Sequence, residues 1–279
     1  MRVFAWSDLH ADFALNRGAI ANAAQRDHHG DALLVAGDVS DKLDTLARTL
    51  SLLRERFAEV FFVPGNHEAW LRGGEFADSP AKFAAVRDLC AGLGVRTQPA
   101  RLGGADPPSA VWIVPLLSWY LRPEHGEDSL YVAKATEDTS QSMWSDDLFV
   151  RWPDGGGSAA ERQLRENEAH LARSYDAPVV SFSHFLPRRD LMFSTPQERL
   201  ARGAGQPDRS PAFNFSRVAG SSGIERQLRA LGARVHVYGH QHRNRDRMVE
   251  GVRYVSHCLG YPGEGAAKDA SHPKLVWEC

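Results

Sequence analysis

The sequence predicts an α/β protein that begins with a mainly parallel β-sheet and ends in a strand-rich second half. Short apolar runs rich in Val, Ile, Phe and Trp recur along the 279 residues, and Gly, Pro, Asp or Asn bound them. Segments with helical spacing separate the first runs, and this alternation is typical of parallel sheets. The last runs follow one another closely, which indicates a second sheet packed on the first.

The apolar runs predict buried strands, because they are short, rich in β-branched and aromatic residues, and bounded by turn-forming residues. They are Val3–Trp6, Ala32–Ala36, Val60–Val63, Val111–Leu117, Val179–Phe182, Val235–Tyr238 and Val252–Val255. Apolar residues at spacings of three and four predict amphipathic helices in other segments. These are Asp41–Phe57, Ala81–Leu93, Ala159–Ser174 and Ile224–Leu231, the last of which Gly232 ends.

Two long stretches lack a regular pattern. The first, residues 118–158, contains several aromatic residues and the Gly155–Gly157 run, and the second, residues 187–222, is rich in Arg, Pro, Ser and Gly. Long irregular segments within a compact domain are usually functional or partly disordered. Since there is no internal repeat and no clear linker, we expect one domain over residues 1–279 with two insertions.

Composition and charge exclude several classes of protein. The chain is 43% hydrophobic and 24% charged, and its formal net charge is −2. This balance argues against a protein that binds nucleic acid or an anionic membrane. No apolar run approaches the ~18 residues of a membrane span. Asp8 and His10 come too early for a signal peptide.

The three cysteines also bear on the location of the protein. Cys90, Cys258 and Cys279 are too few and too scattered for a disulfide framework or a four-thiolate zinc site. Reduced thiols are typical of proteins of the cytosol. We therefore expect a cytoplasmic protein with no nucleic-acid partner and no membrane partner, while its oligomeric state stays open.

Polar side chains follow five of the predicted strands at the point where each strand ends. The segments are Ser7-Asp8-Leu9-His10, Gly37-Asp38-Val39-Ser40-Asp41, Pro64-Gly65-Asn66-His67-Glu68, Ser183-His184 and Gly239-His240-Gln241-His242. In open α/β sheets the ligand crevice lies outside the carboxyl ends of the strands. We therefore expect these side chains to converge at one edge of the sheet.

The converging side chains predict a site for two metal ions. The seven oxygen and nitrogen donors are Asp8, His10, Asp38, Asn66, His184, His240 and His242. One carboxylate can bridge two cations, so the set provides four ligands for each of two divalent ions. Mixed imidazole and carboxylate ligands favour Mn, Fe, Zn or Co over Ca or Mg, with Mn the expected ion in vitro.

In their order along the chain, the blocks D-x-H, G-D-x-x-D, G-N-H-E, a single H after a strand, and G-H-x-H resemble those of the calcineurin-like metallophosphoesterase superfamily. The resemblance extends from Asp8 to His242 and so covers most of the chain. It implies a four-layer α/β/β/α sandwich of two mixed sheets. It also implies hydrolysis of a phosphomonoester or phosphodiester by direct attack of metal-bound hydroxide, without a phosphoenzyme.

The resemblance also implies roles for the individual residues. Asp8, His10 and His242 would hold the first metal ion, and Asn66, His184 and His240 would hold the second. Asp38 would bridge the two ions. His67 would act at the leaving-group oxygen as general acid or transition-state stabiliser, and Asp41 would orient and charge His67.

The substrate stays open at this stage, and we expect a small phosphoester. Other activities of the superfamily remain alternatives, among them a cyclic-nucleotide phosphodiesterase and a nucleotide pyrophosphatase. A non-catalytic scaffold of the same fold is disfavoured because no expected ligand is replaced. A phosphate-binding cation is expected among Arg122, Arg188, Arg189 and Arg243, and Trp119, Tyr120 or Trp144 could stack on the substrate.

Overall fold

A computed structural model describes residues 1–106, 109–140, 144–202, 210–264 and 270–279 of the chain. The described residues form two β-sheets with helices on their outer faces. The strands are β1 (Arg2–Trp6), β2 (His28–Ala36), β3 (Phe57–Val63), β4 (Ala100–Gly103), β5 (Ala110–Pro115), β6 (Val179–Phe182), β7 (Ala233–Tyr238), β8 (Arg245–Val249), β9 (Val252–Ser256) and β10 (Lys274–Glu278).

Both sheets are mixed. The first has the strand order β10-β1-β2-β3, in which β1, β2 and β3 are parallel and β10 runs antiparallel to β1. The second has the order β4-β5-β6-β7-β9-β8, with parallel central strands and antiparallel strands at both edges. The strands that precede the predicted ligand blocks are therefore all parallel within their own sheets.

The main apolar core lies between the two sheets and follows from the alternation of side chains along each strand. Val3 and Ala5 of β1 face inward, toward Ile113 of β5 and Phe182 of β6 in the other sheet. Phe4 of the same β1 strand faces outward, with Trp6, into the core beneath the first helices. The result is a four-layer α/β/β/α sandwich, which confirms the predicted fold class.

Eight α-helices occur in the described residues. They are α1 (Ala14–Ala23), α2 (Leu43–Arg56), α3 (Ser79–Gly92), α4 (Asp146–Phe149), α5 (Ala159–Glu166), α6 (Glu168–Leu171), α7 (Pro196–Arg202) and α8 (Ser222–Ala230). Helix α2 packs on the first sheet through Leu46, Leu50 and Leu53, which share one face. Helix α8 packs on the second sheet through Leu228. No helix of the described residues has the length and apolar character needed to span a membrane.

The predicted elements are found within a few residues, with one division and several omissions. The predicted helix Ala159–Ser174 is split into α5 and α6 at Asn167, whose side-chain amide pairs with the backbone of Leu117. The pattern missed β4, β8, β10 and α1. Strand β8 is an edge strand with charged residues, and α1 lacks a regular apolar stripe on its short length.

The two irregular stretches pack against each other above the second sheet. Ser129 and Ser221 form an isolated antiparallel bridge, and the backbone nitrogen of Leu121 donates to the carbonyl oxygen of Gly220 at 3.1 Å. Helix α4 lies in the first stretch and α7 in the second. Residues 141–143 and 203–209 of these stretches lie outside the described part of the chain.

Candidate metal centre

The seven predicted ligands meet where the carboxyl ends of strands from both sheets face each other. Asp8 and His10 follow β1, Asp38 follows β2, and Asn66 follows β3. The other three, which follow β6 and β7, come from the second sheet. The two sheets meet at Asp38, whose Oδ2 lies 3.4 Å from Nε2 of His184.

At this edge several residues have a backbone conformation that residues other than glycine rarely adopt. Positive φ angles occur at Asp8 (51°), His10 (41°), Asp38 (55°), His240 (72°) and His242 (51°). Among the described non-glycine residues, Glu250 is the only other one with this conformation. Such strain persists where the surrounding structure enforces it and is concentrated at functional sites.

Two glycines allow the ligand loops to approach each other. A Cβ on Gly65 would lie 2.2 Å from Oδ1 of Asp38, and a Cβ on Gly239 would lie 2.6 Å from Oδ2 of Asp8. Both distances are impossible for a real side chain. The glycines of the G-N-H-E and G-H-x-H blocks are therefore required for the carboxylates to reach the centre.

The ligand atoms form two groups that share Asp38. The first group consists of Asp8, His10, Asp38 and His242, and the second of Asp38, His184 and His240; in each, the ligand atoms lie within 4.8 Å of one another. Within the first group, Nε2 of His10 lies 3.0 Å from Nε2 of His242. Asn66 lies next to the second group, with its Oδ1 3.2 Å from Nε2 of His184.

In His184 and His240, a hydrogen bond from the outer ring nitrogen determines which nitrogen faces the centre. Nδ1 of His184 donates to the carbonyl oxygen of Ala36 at 2.9 Å, and Nε2 of His240 donates to that of Val218 at 2.9 Å. Since a carbonyl only accepts, the other nitrogen of each ring keeps its lone pair for a metal ion. This is the arrangement that fixes histidine ligands in metalloproteins.

The electrostatics of the site favour positive charge. Burial alone would raise the pKa of Asp8, but its contact with His242 lowers that pKa to about 2. Burial disfavours the charged form of His184, yet the neighbouring Asp38 raises the pKa of its imidazole to about 9. Two buried carboxylates therefore stabilise a cationic charge at their centre. The set of donors and this charge fit a pair of divalent cations.

His67 lies at the side of the centre without belonging to either ligand group. Its Nε2 lies 3.8 Å from Oδ2 of Asp38, and its ring packs on Trp70 with centroids 3.7 Å apart. Nε2 also lies 3.0 Å from the hydroxyl of Tyr261. Burial lowers the pKa of His67, whereas the charges of Asp38 and, more weakly, Asp41 raise it.

Among the described residues, the side chain of Asp41 pairs with Arg72 rather than with His67. Its Oδ2 forms an ion pair with Nε of Arg72 at 3.1 Å. The guanidinium of Arg72 in turn lies 4.6 Å from the ring of Trp70, on which His67 packs. The predicted role of Asp41, to orient and charge His67, stays a prediction.

Glu68 ties the ends of β2 and β3 together beneath the centre. Its carboxylate is fully buried and accepts hydrogen bonds from the backbone nitrogens of Asp38, Val39, Ser40 and Gly65 at 2.7–3.1 Å. Burial, with the nearby charge of Asp38, raises the pKa of Glu68 to about 7. Its position at the end of the G-N-H-E block is the signal that marks it in the sequence.

Asp146 supports the second ligand group from the first insertion. Its Oδ1 accepts from Nδ2 of Asn66 at 3.0 Å and from Nε1 of Trp70 at 2.7 Å. The bond to Nδ2 turns the amide so that Oδ1 of Asn66 faces the centre. Burial raises the pKa of Asp146 to about 6. No sequence pattern marks this residue, which lies in an irregular stretch.

Two more supporting residues, Tyr261 and Glu264, follow β9. Oε2 of Glu264 lies 2.6 Å from Nδ1 of the ligand His242, and the ring of Tyr261 lies 4.3 Å from the ring of His10. Sequence reasoning missed both because they lie beyond the last motif block. They have no spacing relation to it.

The predicted phosphate-binding cations are mostly engaged elsewhere. Arg122 pairs with Asp147 at 2.6 Å, Arg189 donates to the carbonyl oxygen of Ser129, and Arg243 is exposed. Arg188 forms ion pairs with three carboxylates, those of Asp190, Glu225 and Glu250.

The predicted aromatic candidates differ in their positions. Trp119 and Tyr120 are buried in an apolar cluster that also contains Phe185. The ring of Trp144, also packed on that cluster, lies 5.9 Å from the ring of the predicted ligand His240. Of the three predicted candidates, Trp144 is therefore the one whose ring contacts a predicted ligand in the described structure.

Comparisons with known proteins bear on this geometry. A sequence model of the family described as calcineurin-like phosphoesterase matches residues 1–244. The chain is 27% identical over 278 residues to the [acyl-carrier-protein] phosphodiesterase PptH of Mycobacterium tuberculosis, an alignment that covers 94% of this chain and 78% of that protein.

A solved structure gives an independent comparison of the fold. The crystal structure of phosphopantetheinyl hydrolase (PptH) from Mycobacterium tuberculosis superimposes with a TM-score of 0.73. The sequence identity in this superposition is 23%, and it covers 99% of this chain and 95% of that chain. At this identity the similarity establishes the fold.

Proposed function

This chain belongs to the calcineurin-like phosphoesterase family, and we propose that its substrate is the phosphodiester that joins a phosphopantetheinyl group to an acyl carrier protein. As a member of that family it is a metal-dependent hydrolase of phosphoric ester bonds. The observation that carries the proposal is the pair of ligand groups that share Asp38, with His67 beside them. The choice of a carrier-protein diester over a small phosphoester is supported by the similarity to PptH.

We propose that the two ligand groups hold two divalent cations, chosen among Mn, Fe, Zn and Co, with Mn suited to assays in vitro. Asp8, His10 and His242 serve one cation, Asn66, His184 and His240 serve the other, and Asp38 serves both. Such ions polarise a phosphoryl oxygen and lower the pKa of bound water. The protein residues supply a rigid set of donors, because carbonyls and carboxylates hold the outer nitrogens of His184, His240 and His242.

His67 is the group that we assign to the leaving oxygen. Its imidazole is 8% exposed, packs on Trp70, and directs Nε2 toward Asp38. Burial keeps bulk water from this nitrogen, so a proton held there passes to the substrate oxygen rather than to solvent. Proton transfer of this kind contributes about 10²–10⁴-fold to a rate.

The proposed location is the cytoplasm. The three cysteines are free thiols in the structure, as expected in a reducing compartment. A carrier protein with a phosphopantetheinyl arm is a macromolecular substrate, so the proposal replaces the small phosphoester expected from the sequence.

The test uses the full chain, stripped of metal and reloaded with Mn²⁺, and a carrier protein that bears its phosphopantetheinyl group. Intact-mass spectrometry of the carrier protein should show loss of the phosphopantetheinyl mass, and the Asp38→Asn variant should leave the carrier unchanged. Tyr175→Phe is the matched control, because the Tyr175 hydroxyl bonds to the carbonyl of His170, away from the ligand groups.

Two synthetic substrates define the reaction class in the same assay. Hydrolysis of bis-p-nitrophenyl phosphate together with release from the carrier protein supports the proposal. Hydrolysis of p-nitrophenyl phosphate alone would identify a phosphomonoesterase and contradict it. Cleavage of the synthetic diester with an untouched carrier protein would keep the phosphodiesterase and exclude this substrate.

A further inference from the structure

Tyr261 lies between the predicted proton donor and the first ligand group, although no motif marks it. Its hydroxyl lies 3.0 Å from Nε2 of His67, and its ring lies 4.3 Å from that of His10 and 4.8 Å from that of His242. We propose that Tyr261 is a positioning residue that fixes the imidazole of His67 toward the leaving oxygen. This inference rests on the role given to His67 in the proposed function.

The backbone around Tyr261 is fixed to the end of β1. The nitrogen of Leu259 donates to the carbonyl oxygen of Ser7 at 3.0 Å, and the nitrogen of Gly260 donates to the backbone carbonyl oxygen of Asp8 at 3.0 Å. The buried side chain of Asn16 donates to the carbonyl oxygen of Gly260 at 2.8 Å. Tyr261 is thus attached to the same backbone that presents the ligand Asp8.

Glu264 connects Tyr261 to the ligand group through one oxygen atom. Its Oε2 accepts from the backbone nitrogen of Tyr261 at 2.8 Å and lies 2.6 Å from Nδ1 of His242. The carboxylate therefore orients a ligand imidazole and the tyrosine together.

The hydroxyl suits His67 in both of its protonation states. The phenol hydroxyl of Tyr261 is both a donor and an acceptor of hydrogen bonds. The hydroxyl donates when Nε2 of His67 is unprotonated and accepts when this nitrogen carries the proton. A group that donates a proton passes through both states, and the contact holds its ring in each of them.

The aromatic neighbours of His67 do not fix its rotation by themselves. The ring of Trp70 packs on one side of the imidazole with centroids 3.7 Å apart, and the ring of His10 meets it edge-on with centroids 4.7 Å apart. Such packing restricts the position of the ring but does not select which nitrogen faces Asp38. The hydrogen bond to Tyr261 selects Nε2 as the nitrogen that faces Asp38. The Tyr261→Phe variant keeps the aromatic packing and removes this hydrogen bond.

The test compares Tyr261→Phe with Tyr175→Phe, which removes a hydroxyl bonded to the carbonyl oxygen of His170. The reloaded enzymes are assayed on aryl phosphodiesters with graded leaving groups. Loss of one hydrogen bond should lower kcat about 3- to 10-fold in Tyr261→Phe, most for the poorest leaving group. Metal content and the Tyr175→Phe rates should equal those of the wild type.

A second readout does not depend on activity. In the metal-free protein labelled with ¹⁵N-histidine, the Nε2 signal of His67 should carry the shift of a hydrogen-bonded ring nitrogen in the wild type and should lose that shift in Tyr261→Phe. Equal leaving-group dependence in both tyrosine variants, or an unchanged His67 spectrum, would overturn the proposal. If wild-type enzyme cleaves no diester, the proposed function fails while the spectrum still decides the contact.

A further variant guards against a folding defect. Glu264→Gln keeps Tyr261 itself but weakens both its attachment and the support of His242. Its rates are therefore compared at equal metal content, where a smaller loss in the same leaving-group order is expected. A loss of equal size for all leaving groups would contradict the positioning role, because it would indicate a general defect of the first ligand group.

Discussion

The two halves of the metal centre differ in how their ligands are supported. In the second group, His184 is completely buried, and backbone carbonyls of Ala36 and Val218 hold the outer nitrogens of the histidines. In the first group, the side chain of His242 is 12% exposed, and its support is the carboxylate of Glu264, itself 40% exposed.

This difference has a physical consequence for the two cations. A carbonyl oxygen within a sheet or a packed loop moves only when the backbone unfolds, whereas an exposed glutamate can rotate away at little cost. The second group is therefore the more rigid half, and the first group is the more exposed one.

The largest effect is expected from a variant that changes both ligand groups at once. Asp38 contributes to both groups, so Asp38→Asn should empty both halves and lower activity more than about a hundredfold, beyond the usual effect of an outer residue. Metal content measured by plasma mass spectrometry on the purified variant tests this. Two ions per chain with full activity would refute the bridging role.

The next effect leaves both halves filled. His67→Ala should keep both metal ions and lower turnover by about 10²–10⁴-fold for poor leaving groups, because the proton donor is lost. Rates on diesters with good and poor leaving groups measure it. His29→Ala, an exposed histidine at the amino end of β2, is the control. Equal losses for all leaving groups would argue against proton donation.

Two variants at the supporting carboxylates test the two halves of the centre separately. Asp146→Ala frees the amide of Asn66 and should weaken the second site about 10- to 100-fold, whereas Glu264→Ala should weaken the first site to a similar extent. Competition with a graded chelator, followed by metal content, measures each site.

The pair also contains its own controls. Asp147→Ala changes the neighbouring carboxylate, which pairs with Arg122 rather than with a ligand, and should leave both affinities unchanged. The same affinity loss at both sites in Asp146→Ala would mean that the halves are not supported independently. Circular dichroism then shows whether Trp70, which also bonds to Asp146, has lost its packing.

The smallest effect lies outside the centre, where the two sheets meet at an edge. Asp246 of β8 pairs with Arg253 at 2.8 Å and with Lys274 of β10 at 3.0 Å. The hydrogen bond from Arg253 lowers the pKa of Asp246 to about 2. Its stabilisation is thus present above the unfolded pKa of about 4 and is lost as pH falls through about 2.

Asp246→Asn should lower the free energy of unfolding at neutral pH by no more than about 1 kcal/mol, because the pair is partly solvated. Urea unfolding from neutral pH down to about 2 should bring the variant and the wild type together at the acid end. A difference that grows with acid would exclude this account. Activity per folded chain should not change, in contrast to both halves of the centre.

The sequence predicts the ligand set because the signal for these residues is local. Asp8, Asp38 and His184 each follow an apolar run after a single Ser or Gly, and the ends of parallel strands meet at one edge. Gly65 and Gly239 mark the same places, since the carboxylates of Asp38 and Asp8 leave no room for a Cβ there. The positions and the chemistry of the centre therefore followed from the strand pattern.

The supporting groups could not be predicted in this way. Asp146 lies 80 positions from Asn66, and Tyr261 lies 194 positions from His67, both in segments without periodicity. Strands β4 and β8 lie at the edges of the second sheet, where a short or charged segment carries little apolar signal.

The sequence by itself determined the fold class and the ligand blocks, because each depends on residues close together along the chain, and the resemblance predicted His67 as the proton donor. Only the tertiary structure decided which carbonyl or carboxylate lies behind the predicted ligands, that Asp41 pairs with Arg72, and that Tyr261 meets His67. Those contacts depend on distances in space between distant segments. These segments come close together only when the two sheets and the irregular stretches pack in the folded protein.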